Sequence, residues 1–124
     1  MFKYENAQYP NILFCADSNF KFLEPEDTIQ LKDNSISTVA HHGSKENSET
    51  FELIDGKNVI YVRSDSKNNH RPSKEYISLQ NRKYCTICNL EPNSKDSKHI
   101  ILCYRQNTWC SSNQKCSMSI KNGV

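Results

Sequence analysis

The chain lacks any apolar run near the roughly 20 residues needed to cross a bilayer. Its opening, MFKYENAQYP, puts Glu5, Asn6, Gln8 and Pro10 where a secretory signal needs an apolar segment. These absences lead us to expect a cytoplasmic protein with no membrane partner. An excess of one charge is also missing: 16 Lys and Arg against 14 Asp and Glu give +2, too little to imply nucleic-acid binding by itself. Apolar residues are scarce, at 35%, and mean hydropathy is −0.79. Those present cluster in short runs, which argues for a thinly padded folded domain rather than disorder. At 124 residues the chain is one domain or part of one, and it carries no internal repeat.

What is present is a series of short β-patterned runs separated by polar turns. NILFCA (11–16), SISTVA (35–40), NVIYVRS (58–64), KYCTICN (83–89) and HIILCYR (99–105) read as strands. ENSETFELI (46–54) reads as a helix with Asn47 or Ser48 as its cap, and PSKEYISLQ (72–80) as a second with Pro72 in its first turn. Pro25 forbids a long helix across 20–35, and the tail from Asn107 reads as polar and loose apart from Trp109 and its cysteines. The order of elements predicts an α/β sheet with helices on one face.

Two groups with chemical potential fall at C-terminal strand ends, where open α/β sheets place ligands: Asp17 and the pair His41–His42. Each has a plain alternative. The histidine pair before Gly43 could be a turn holding a structural histidine, Asp17 a cap for the next segment, and His70–Arg71 a solvated loop.

ILFCAD, then two dozen residues to TVAHHGS, then a helix, the strand VIYVRS and HRPSKEYI resemble, in that order, the C-terminal half of metallo-β-lactamase-fold hydrolases. The branch they most resemble includes the hydrolase domains of DNA-uptake (competence) proteins. The resemblance covers residues 11 to 105 and implies half of a four-layer αββα sandwich, with a partial domain over 1–106 and a cysteine-containing tail over 107–124. It implies metal-binding roles for Asp17 and His41, with His42 and His70 near the substrate. The family's Gly-His-Pro-Ser segment matches HRPS with Arg71 in place of the histidine and His70 displaced by one. The cofactor implied is zinc or manganese, as a two-metal site when complete. The family's His-x-His-x-Asp-His signature, and the further histidine that follows it, are absent. A catalytic zinc takes about three protein ligands and an open position for water. Asp17 and His41 supply two, so the expectation is a truncated domain, inactive alone, whose partner is the missing N-terminal half or another chain. Its substrate would be a phosphoester, nucleic acid included. A half-fold should also leave an apolar sheet face uncovered.

Six cysteines without a secretory signal read as reduced thiols or a metal site. Cys85 and Cys88 form a CxxC inside a β-patterned run, where alternation sends the two side chains to opposite faces unless the strand bends. A structural zinc would combine them with two of Cys103, Cys110 and Cys116; ordinary buried thiols are the plainer reading, and Cys15 reads as core. Besides the hydrolase portion, two other functions stay open: a non-catalytic partner or regulatory domain keeping the half-fold, and a small cysteine-based zinc module.

Overall fold

The computed structural model describes residues 1–24, 26–65, 72–88 and 99–116. In chain order the elements are β1 (Phe2–Asn6), β2 (Tyr9–Phe14), β3 (Ile29–Gln30), β4 (Ile36–Thr38), α1 (Thr50–Leu53), β5 (Ile54–Asp55), β6 (Ile60–Arg63), α2 (Lys74–Ser78), β7 (Lys83–Cys85), β8 (Cys103–Arg105) and β9 (Thr108–Cys110). The protein is mixed α/β, mostly strands. The main sheet has the order β1-β2-β4-β6-β7; β1 and β2 are antiparallel, and the remaining neighbours are parallel.

All five expected strands form; four are shorter than their runs, and β2 has the length of NILFCA but begins two residues earlier, at Tyr9. KYCTICN departs from expectation: the strand stops at Cys85 and the chain turns over 86–88. The helix expected over 46–54 forms as a 3-10 turn, Lys45–Asn47, followed by the single-turn α1. Its start is organised by Ser44, whose hydroxyl accepts from the Glu46 amide, and not by Asn47 or Ser48 as N-cap. Ser73 caps α2 by accepting from Tyr76 N, and the Lys83 ammonium donates to the carbonyls of Tyr76, Ile77 and Leu79 at its other end.

Register divides the sheet into two unlike faces. Leu13, Ser37, Tyr61 and Lys83 lie abreast on one face, and Ile12, Ile36 and Ile60 on the other. On the first face the main core gathers Leu13, Cys15, Phe20, Ile29, Leu31, Val39, Tyr61 and Tyr76, with Phe51 and Leu53 of α1 and Ile77 of α2 packed against them. The second face carries a smaller cluster of Ile36, Ile60 and Tyr84, covered by Ile100, Leu102 and Trp109 from the C-terminal hairpin.

That hairpin turns at Gln106–Asn107, both at positive φ, as a two-residue type I′ turn requires. The boundary expected after residue 106 therefore falls inside the turn. Trp109 Nε1 donates to the Asn34 carbonyl and Arg82 donates to the Trp109 carbonyl, which anchors the hairpin to the sheet. Among the described residues no helix is long and apolar enough to cross a membrane.

Candidate functional site

Strands β2 and β4 are neighbours and parallel, so their C-terminal ends emerge side by side. The His41 amide donates to the Ala16 carbonyl at 2.7 Å, tying the chain after β4 to the chain after β2. A shallow depression of about 270 Å³ opens there, lined by Phe14, Ala16, Asp17, Thr38, Val39, His42 and Ser64. A larger one of about 460 Å³ lies at the N-terminal strand ends, lined by Asn34, Asn58, Ile60, Gln80, Asn81 and Arg82. It holds no nucleophile or metal-ligand pair, and a third depression of about 300 Å³ lies on the C-terminal hairpin beside Cys103 and Cys110.

The backbone under the histidines is strained. His41, His42 and Gly43 all have positive φ, at 44°, 55° and 84°. Such geometry costs a non-glycine residue about 1–2 kcal/mol and persists only where surroundings impose it. Here the surroundings are specific. The Ser73 amide donates to the Gly43 carbonyl at 2.8 Å, and Arg63 Nη1 donates to the His42 carbonyl at 3.1 Å. Gly43 is required twice over, since a Cβ on it would sit 3.1 Å from Pro72 Cβ and 3.3 Å from Arg63 Cδ.

Hydrogen bonding sets the proton on each imidazole. His42 Nδ1 lies 2.6 Å from the Ser64 carbonyl oxygen, which can only accept, so Nδ1 carries the hydrogen and Nε2 keeps its lone pair. His41 Nδ1 lies 3.2 Å from Asn47 Oδ1. The Asn47 amide is oriented by its Nδ2, which donates to the Ser18 carbonyl at 3.2 Å and the Asp17 carbonyl at 3.5 Å, so Oδ1 accepts from His41. His41 is therefore also an Nε2 lone-pair donor. A backbone carbonyl or amide oxygen on the far nitrogen is the usual support of a metal-ligating histidine.

Of the expected site residues, Asp17 and His42 line the same depression, while the His41 ring packs toward Asn47 and does not line it. The two rings stand 6.3 Å apart, tilted by 57°. His70 lies outside the described residues. Imidazole nitrogens and a carboxylate suit zinc or manganese. Asp17, His41 and His42 do not, however, gather as three converging ligand atoms among the described residues. The donor chemistry fits a metal; the donor number is that of a part-site. Asn47 and Ser64 were missed by sequence reasoning. Their partners are 6 and 22 residues away, with no local pattern to mark them.

A second group forms on the covered face. Cys85, Cys88 and Cys116 bring their Sγ atoms within 4.8 Å of one another and could hold a metal ion. The turn after β7 is what reunites Cys85 and Cys88, and the Cys116 amide donates to the Lys83 carbonyl at 2.8 Å, which seats it beside β7. Cys103 and Cys110 do not join: both are exposed on the hairpin, across the sheet. Arg63 Nη2 donates to Cys85 Sγ at 3.3 Å, and its Nη1 pairs with Asp65 at 2.7 Å. Hydrogen bonds from Cys116 and Cys88, with Arg63 alongside, hold the Cys85 thiol far below its usual pKa. Sharing the hydrogen bond with Cys116 pushes Cys88 upward. Cys15 is instead a buried core thiol whose pKa burial raises.

The chain matches no family model, and no curated protein or solved structure matches it significantly.

Proposed function

We propose that the chain is the C-terminal portion of a metal-dependent hydrolase of the metallo-β-lactamase type, acting on phosphodiesters or related esters and inactive without the other half of its site. The observation that carries this reading is the His42 Nδ1–H bond to the Ser64 carbonyl at a depression shared with Asp17. It leaves one imidazole lone pair and one carboxylate at adjacent strand ends, with the strained turn held in place by Arg63 and Ser73. In this reading Asp17 and the histidine pair would hold zinc or manganese, which would supply activation of water for attack on the ester. His42 is the better placed of the two imidazoles and His41 a ligand or a neighbour that orients the turn. His70 would stand near the substrate.

A second observation supports the missing half. The face of Ile12, Ile36 and Ile60 is left bare at its β1–β2 end, where Phe2, Tyr4 and Phe14 are exposed. Its occupant in this reading is the sheet of the N-terminal half, on the same or another polypeptide, which would complete the four-layer sandwich.

The test is hydrolysis of a generic phosphodiester with zinc or manganese added. The 124 residues alone should show no turnover. Co-expression with a polypeptide carrying His-x-His-x-Asp-His, sought first in the coding DNA upstream of or neighbouring Met1, should restore it, and Asp17→Ala should abolish it. Stable assembly of the two halves with no turnover would favour the non-catalytic partner domain instead. Turnover by the isolated chain that vanishes in His41→Ala or His42→Ala would overturn the part-site reading.

A further inference from the structure

We propose that Cys85, Cys88 and Cys116 bind one zinc ion as a structural clasp, separate from the strand-end site and needed to hold the C-terminal segment against β7. A tetrahedral zinc with Zn–S bonds of about 2.3 Å spaces its sulfurs about 3.8 Å apart. The trio brackets that spacing, with Cys88 and Cys116 Sγ 3.2 Å apart and all three within 4.8 Å. A disulfide could join only two of the three, and the Cys88–Cys116 pairing would leave the buried Cys85 thiol beside the Arg63 guanidinium.

The charge balance points the same way. Three thiolates on Zn²⁺ carry one net negative charge, and the protein supplies cations at that spot. Arg63, with no solvent exposure, donates to Cys85 Sγ, and the Lys83 ammonium and the Arg63 guanidinium both stand within 6 Å of the buried Tyr76 ring. The Tyr76 hydroxyl is buried without a hydrogen-bond partner among the described residues, and Cys116 and Cys85 are the groups whose charge it feels most after burial itself. On binding, the thiol protons leave to solvent and the sulfurs become ligands. The fourth position goes to water or to a donor outside the trio; it does not go to Cys103 or Cys110, which the sheet separates from the others.

The clasp also reaches the histidine turn. The same guanidinium that touches Cys85 touches the His42 carbonyl, so the ion would brace Arg63 from one side and the turn from the other.

The test uses the full, reduced chain. Titration with Co²⁺ should give one equivalent of tetrahedral binding, with a thiolate-to-cobalt charge-transfer band and strong visible d–d bands, and zinc should displace it. In the unmutated protein, zinc should protect Cys85, Cys88 and Cys116 from iodoacetamide while Cys103 and Cys110 are alkylated, as read by peptide mass mapping. Cys116→Ser should weaken binding by more than the ~100-fold typical of losing an outer-shell partner. Cys103→Ser and Cys110→Ser should leave the charge-transfer band, its stoichiometry and its affinity unchanged, because neither thiol belongs to the trio. Absence of the charge-transfer band, protection of a different set of cysteines, or a Cys88–Cys116 disulfide in freshly isolated protein would each overturn the clasp.

Discussion

Leu13 and Phe14 are adjacent in the chain and sit on opposite faces of one sheet, Leu13 with no exposure and Phe14 44% exposed. The contrast between those faces runs against the usual expectation. The well-covered face buries polar groups, with Ser37, Arg63, Lys83 and Asn11 among its most enclosed side chains. The barer face is the more apolar, built from Ile12, Ile36, Ile60, Val62 and Tyr84 and continued by Phe2 and Phe14, whose rings meet at 6.0 Å. Most polar groups on the covered face have partners: Arg63 reaches Asp65, His42 and Cys85, and Lys83 reaches three carbonyls, while Asn11 Nδ2 and Arg63 Nε find none among the described residues. At the β1–β2 end of the other face Phe2, Tyr4 and Phe14 stay exposed with no such compensation. The lesson is that enclosure here follows partnership: the first face keeps its polar groups by bonding them, and the second is apolar where the hairpin covers it.

The sharpest way to break this contrast is to remove the charge at the centre of the covered face. Arg63→Met removes the guanidinium that bonds Asp65, the His42 carbonyl and Cys85 Sγ at once. The expected loss is about 3–5 kcal/mol in urea unfolding, and a loss under 1 kcal/mol would mean the network is ornamental to stability.

Next in size is the neighbouring pair. Leu13→Ala empties a fully enclosed site and should cost about 2–5 kcal/mol. Phe14→Ala should cost under about 1 kcal/mol. Equal costs for the two would erase the distinction between the faces.

Gly43→Ala tests the turn where the covered face meets the strand ends. A positive φ and a Cβ pressed toward Pro72 and Arg63 should cost about 2 kcal/mol together, measured by the same unfolding experiment.

On the bare face, the double change Phe2→Ser, Phe14→Ser should alter stability little while reducing self-association in sedimentation velocity. An unchanged sedimentation distribution would remove that face as a docking surface.

The smallest effect concerns strain. His42→Asn relieves part of the positive-φ cost, because asparagine tolerates that region, and gives up the bond to Ser64. The two should nearly cancel, within about 0.5 kcal/mol in urea unfolding. A large gain in stability would show that the turn stores more strain than its angles imply.

The strands were legible because their runs of Ile, Leu, Val and Tyr are bounded by polar turns, and α2 because Pro72 marks its approach, although Pro72 precedes the Ser73 cap and lies outside the first turn. The strand β1 was overlooked although FKYEN alternates apolar and charged residues; its apolar positions are aromatic and end up exposed, so nothing local distinguishes them from an irregular start. The strand β9 was hidden in a segment whose composition reads as loose, and it forms because Trp109 finds both Asn34 and Arg82. At the candidate site the sequence placed Asp17 and the histidine pair at strand ends. It could not assign the two imidazoles, because their proton positions depend on Asn47 and Ser64.

By itself, then, the sequence determined the alternation of short strands and turns and the placing of Asp17 and the histidine pair just beyond C-terminal strand ends. Local preference and side-chain period are properties of neighbouring residues, so they can be read without the fold. Only the tertiary structure decided that Asp17 and His42 share a depression while His41 turns to Asn47, that Cys116 and neither Cys103 nor Cys110 joins Cys85 and Cys88, and that the hairpin covers the centre of the second face while Phe2, Tyr4 and Phe14 stay exposed at its β1–β2 end. Those outcomes depend on strand order and register, which bring together residues 22 to 31 apart in the chain by pairing backbones and leave no trace in any short window of sequence.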